Sequence, residues 1–157
     1  MENERKTDRS ADMGMDEHRL SDILLASQIK ATDIYETPPQ IIWIDNSTIA
    51  TLGNFSASTG KAKSKKTFNV SALVAASLAG KQVLNYRAHL PEGKQRILYV
   101  DTEQSRFHCR SVLERILRLA GLPTTTDPEN LDFFCLREYS PSVRVEVIDY
   151  ALRQNKG

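Results

Sequence analysis

The most restrictive feature of this sequence is a strand, helix, strand succession in its second half. Residues 96–101 (RILYVD) form an apolar run of strand length that ends on a carboxylate. Runs of this kind, without polar alternation, belong in a parallel sheet covered on both faces. Residues 106–120 then place Phe107, Val112, Leu113, Ile116, Leu117 and Ala120 at helical spacing, and Gly121 with Pro123 beyond it stops the helix. Residues 131–136 (LDFFCL) supply the next strand. Parallel neighbours need a crossover, and a helix between them in a right-handed connection is the solution that packs. The chain is therefore expected to be α/β, a parallel sheet with flanking helices.

The remaining segments extend the pattern. Residues 67–84 are apolar on nearly every face and rich in alanine, which predicts a buried helix. Residues 143–152 predict a closing helix with Pro141 near its start. Upstream, 41–45 (IIWID) and 48–52 read as a hairpin turning at Asn46 and Ser47, and 54–59 leans towards strand up to Gly60. Pro38 and Pro39 set this body off from what precedes it. A short helix is expected over 20–29, with Ser21 or Asp22 as its cap. The expected organisation is a flexible arm at 1–20, an accessory helix and linker at 21–37, and the α/β body at 38–157.

Charge and composition exclude several classes. With 21 basic against 20 acidic residues and a net charge of +1, any affinity for nucleic acid must come from a local patch. No stretch approaches the roughly 20 apolar residues that span a bilayer, so a soluble, cytoplasmic protein without membrane association is expected. Cys109 and Cys135 are 26 positions apart with no C-x-x-C, which suggests reduced thiols rather than zinc ligands or a disulfide framework. His18, His89 and His108 are scattered and form no ligand set.

The chemistry concentrates in Gly60-Lys61-Ala62-Lys63-Ser64-Lys65-Lys66-Thr67, followed by Phe68. The octet fits the phosphate-binding pattern G-x-x-x-x-G-K-[ST] except that Lys65 replaces the second glycine. Such a loop rings a phosphate with backbone N–H groups, reaches the terminal phosphates with a lysine and offers a hydroxyl to Mg²⁺. Lys66 and Thr67 stand at those last two positions, and an expected strand before and helix after provide the context. Against this, a lysine-rich turn can also be a solvated basic loop or a contact for nucleic-acid phosphates. The second feature is Asp101-Thr102-Glu103 at the end of a strand, the end where open α/β sheets bind ligands. A carboxylate there can polarise an attacking water, whereas Asp101 alone is better read as capping the following helix.

GNFSASTGKAKSKKTF together with ILYVDTEQS resembles the RecA-like P-loop ATPases. The narrower resemblance is to plasmid-replication and mobile-element ATPases related to hexameric replicative helicases, including those of Bacteroides-type mobilizable transposons, where a K-S-[RK]-K-T ending of the loop recurs. The resemblance covers about residues 41–152. It implies a RecA-like P-loop NTPase fold and ATP and Mg²⁺ as cofactors, with Gly60, Lys61, Ala62, Lys63, Ser64, Lys65, Lys66, Thr67 and Phe68 binding nucleotide. It further implies Thr67 on Mg²⁺, and Lys66 and Glu103 as catalytic residues. DNA is the implied partner and a hexamer the implied assembly. The family also needs a Walker B strand, an apolar run ending in Asp, after the last helix of this pattern, and the chain ends where it should begin. Residues 38–157 are thus expected to be the N-terminal part of a longer ATPase domain, whose full-length form hydrolyses ATP in replication, mobilisation or transposition of a mobile element. Two alternatives stay open: a nucleotide-binding regulator that does not hydrolyse, and a small DNA-binding accessory protein using the Lys61–Lys66 loop. Arg106 and Arg110, one turn apart, could face adenine or a neighbouring subunit, though solvated arginines are commoner. Trp43 reads as a core or contact residue.

Overall fold

The computed structural model describes residues 16–61 and 65–154. The chain divides into two compact units, Met1–Thr37 and Pro38–Gly157. The described part of the first contains one helix, α1 (Glu17–Ser27). It starts earlier than the apolar spacing suggested, because Asp16 supplies the cap by accepting from the His18 amide and Glu17 favours the first turn. Residues 17–20 are therefore helical rather than part of an arm, and the rest of the expected arm lies outside the described residues.

The second unit opens with a hairpin of β1 (Gln40–Ile44) and β2 (Ser47–Thr51), antiparallel, with Ile44 opposite Ser47. Its turn is Asp45-Asn46, one residue earlier than expected, and Asp45 takes a φ of 49°, a region that aspartate tolerates better than most residues. The other edge of β1 pairs with β3 (Tyr86–Ala88), giving the order β2-β1-β3. A separate sheet consists of β4 (Ile97–Asp101) and β5 (Leu131–Cys135), parallel and in register from Ile97 opposite Leu131 to Asp101 opposite Cys135. Within it Tyr99 and Phe133 stack at 4.3 Å. The helix α3 (Arg106–Ala120) joins these two strands and ends at Gly121 with φ 77°. The last helix, α4 (Pro141–Gln154), is tied down at its start by Arg144, which donates to the carbonyls of Leu136 and Arg137 at 3.0 and 2.8 Å.

The architecture is mixed α/β, and its parallel pairing is confined to β4 and β5. The expected hairpin is present, but the expectation of one larger parallel sheet is corrected, since the hairpin and β3 form an antiparallel ribbon separate from β4 and β5. Residues 54–60 are not strand either. Phe55 is 95% exposed, and without a partner on either side a β-leaning composition does not make a strand. The helix expected over 67–84 is α2 (Lys66–Ala79), and it stops at Gly80, whose φ of 59° terminates it before the helix-compatible Lys81, Gln82 and Val83.

The core explains the alanines. Ala72, Ala75 and Ala76 on α2 are fully buried, as is Ile116 on α3. They pack with Val74, Val112 and Ala120, and with Ile42, Tyr86 and Ala88 of the ribbon. Small side chains let α2 approach both its neighbours, α3 and β3, closely. Leu131 carries the same core onto β5.

Candidate functional site

The octet meets α2 at Lys65, and its backbone is informative. Lys65 has φ 60° and ψ 22°, the left-handed region that a side chain disfavours and glycine accepts. This is the one position where the chain departs from the phosphate-loop pattern, and the conformation there is the kind that the pattern's glycine serves. Lys66, half-buried, begins the helix. Its Nζ donates to the carbonyl oxygens of Gly60 at 2.6 Å and Lys61 at 3.1 Å, folding the loop's entry back onto its exit. Ala62, Lys63 and Ser64 lie outside the described residues. Thr67 is half-buried in the first turn, its carbonyl accepting from Ser71 Oγ at 2.7 Å, and Phe68 is 40% exposed.

The electrostatics of this helix start are one-sided. Helix N-termini carry partial positive charge and ordinarily attract acids and side-chain caps. α2 has no acidic residue in its first turn and no side-chain cap, and Lys65 and Lys66 add two cations. Helix N-termini favour anions, and the first turn of α2 supplies none of its own.

The β4–α3 turn is organised by Asp101. Its buried carboxylate accepts from the amides of Glu103 at 2.9 Å and Gln104 at 2.7 Å on Oδ1, and from Gln104 Nε2 at 2.9 Å on Oδ2. Asp101 therefore anchors the turn and does not cap the following helix, whose N-cap is Ser105 without a side-chain cap bond. Glu103 is exposed on that turn. No hydrogen bond or ion pair among the described residues joins it to Lys66, so the structure does not bring the two candidate catalytic residues into contact. Arg110 is engaged with Glu114 at 3.1 Å and the Thr124 carbonyl at 3.0 Å. Trp43 is half-buried beneath the Arg87 guanidinium, 4.8 Å from its ring centre.

Sequence reasoning missed one grouping. Cys109 and Cys135 both donate to the carbonyl of Gln104, at 3.8 and 3.4 Å. Burial, the Cys135 contact and the nearby Asp101 charge push the Cys109 thiol up to about 12. Nothing in a spacing of 26 residues could have indicated this, because the pairing is made by α3 folding over β5. The thiols line an open cleft of about 390 Å³ with Arg106, Arg110, Phe133 and Tyr139.

No family model, curated protein or solved structure matches this chain. Among the described residues no group of three or more His, Cys, Asp or Glu could hold a metal ion, and no helix is long and apolar enough to cross a membrane.

Proposed function

We propose that the chain binds ATP with Mg²⁺ through the loop from Gly60 to Phe68, as a RecA-like P-loop ATPase of the mobile-element type. The observation that carries this reading is the junction at Lys65 and Lys66. A left-handed residue at the pattern's glycine position leads into an uncapped, acid-free helix start, and the Lys66 ammonium is folded over the loop's own carbonyls. In this reading a nucleotide's phosphates replace Gly60 and Lys61 as partners of Nζ, and backbone amides at the start of α2 take the remaining oxygens. The Thr67 hydroxyl, the next side chain along, suits a hard divalent ion that keeps most of its shell as water and phosphate oxygen. A site of this kind needs only one protein ligand. Mg²⁺ would supply charge neutralisation at the phosphates. Glu103, held on a turn that Asp101 fixes, is the residue assigned to polarising water. The reading extends to a cytoplasmic protein that assembles as a hexamer on DNA and serves replication, mobilisation or transposition.

The test is calorimetric titration of Mg·ATP into the protein and into Lys66→Ala at two salt concentrations, with phosphate release followed in parallel. Binding that the substitution abolishes supports the reading. Binding without phosphate release favours a nucleotide-binding regulator. Absence of nucleotide binding, with DNA binding that weakens steeply as salt rises, refutes it and assigns the lysines to nucleic-acid phosphates.

A further inference from the structure

The thiol pair stands apart from the nucleotide reading and does not depend on it. We propose that Cys109 and Cys135 are an oxidisable dithiol, a modification site at which a hydroperoxide closes a disulfide between α3 and β5. Three observations carry this. The first is proximity: the sulfurs share one acceptor, the Gln104 carbonyl, at 3.8 and 3.4 Å, so no element must move far to join them. The second is a rigid frame. Cys135 ends β5 in register with Asp101, and the Cys109 amide donates to the Ser105 carbonyl at 2.9 Å in the first turns of α3. Asp101 itself pins the turn between β4 and α3, so both cysteines are set by the same short connection. The third is access, because both side chains line the open cleft of about 390 Å³.

The cysteines differ in a way that assigns their roles. Cys109 is 4% exposed, whereas Cys135 is half-buried on the cleft wall. Arg106 and Arg110 line the same cleft. Cys109, buried and kept protonated, is the poorer nucleophile. Cys135 therefore attacks the peroxide: its thiolate takes the distal oxygen, the O–O bond breaks, and the departing hydroxide or alkoxide gains a proton. The product is a sulfenic acid at Cys135, with the peroxide reduced to water or an alcohol. The Cys109 sulfur then attacks the Cys135 sulfur, the S–O bond breaks, and the Cys109 proton leaves with the hydroxyl as water. Each disulfide consumes one peroxide, and a thiol reductant reverses it.

The experiment exposes the folded, reduced protein to hydrogen peroxide, alkylates the remaining thiols, and maps peptides by mass spectrometry without reduction. A peptide joining Cys109 to Cys135, in a monomer lighter by two hydrogens and restored by dithiothreitol, is the expected result. In Cys109→Ser, dimedone should label Cys135 as a trapped sulfenic acid; in Cys135→Ser, Cys109 should remain alkylatable after peroxide. Three outcomes in the wild-type protein would overturn the proposal: over-oxidation of Cys135 beside a free Cys109, cross-linking only between molecules, or two thiols that stay alkylatable under conditions that oxidise the urea-unfolded chain. The wild-type result decides the matter even if a serine variant does not fold.

Discussion

Replacing Lys65 with glycine should stabilise the protein, contrary to the usual effect of placing glycine beside a helix. Lys65 occupies φ 60° and ψ 22°, and holding a side chain in this region costs roughly 1–2 kcal/mol. Glycine removes that cost but adds freedom to the unfolded chain worth about 0.5–1 kcal/mol. The central difference leaves Lys65→Gly more stable by about 0.75 kcal/mol, or roughly 2–3 °C in Tm for a chain of this size. Removing a lysine beside Lys61 and Lys66 also relieves repulsion, so Lys65→Ala is the necessary comparison: it discards the same charge yet keeps a Cβ. Lys65→Asn should fall between the two, since asparagine tolerates the left-handed region better than alanine. Urea unfolding of the four proteins, at one pH and salt concentration and with equal m-values, gives the order directly. If the glycine variant is no more stable than the alanine variant, Lys65 is not left-handed in solution and the argument for a phosphate-loop backbone at this junction fails with it.

Other substitutions probe the frame around the candidate site. Asp101→Ala should cost about 1–2 kcal/mol, because it removes the acceptor of the partly buried amides of Glu103 and Gln104, while Asp101→Asn should cost less since it retains an acceptor; urea midpoints distinguish them. Ile116→Ala, at a fully buried position, should cost about 2–5 kcal/mol, whereas Phe107→Ala on the same helix, 76% exposed, should stay within about 0.5 kcal/mol in the same assay. The Cys109 thiol gives a pH dependence of definite sign. Its pKa rises on folding from 9.0 to about 12, so the folded chain keeps a proton that the unfolded chain has lost. Stability is therefore complete below about pH 9 and falls as pH climbs towards 12, by at most about 1.4 kcal/mol per unit. Reduced Cys109→Ala should show a shallower alkaline slope, and equal slopes would show that Cys109 is not buried as described.

How far the fold could be read depended on whether local pattern or tertiary pairing formed each element. The boundaries of α3 were legible to the residue, because its apolar spacing runs cleanly into Gly121. β4 was legible as an apolar run and β5 as a short, largely apolar segment after a turn-forming loop. β3 was not: three residues, Tyr86-Arg87-Ala88, carry no periodicity and become strand only by pairing with β1. The reverse error fell on 54–59, whose composition leans to strand but whose backbone has no ladder to join. At the end of α2, propensity favoured continuation through Lys81 and Gln82, and one left-handed glycine outweighed it. In the site, the octet and Asp101 were visible as linear signals. The conformation of Lys65 and the meeting of the two thiols were not, since each is a property of the folded backbone.

The buried alanine face of α2 also has a mechanical meaning. Ala72, Ala75 and Ala76 put only methyl groups on the fully buried part of this helix face. The helix is consequently seated closely against the side chains of α3 and the ribbon, and its first residues, Lys66 and Thr67, share that seating. A single added methyl at Ala75, remote in sequence from Gly60, would have no free space to enter and would shift the helix with its first turn, so the placement of the Lys66 ammonium depends on the small side chains at these three positions as well as on the lysine itself.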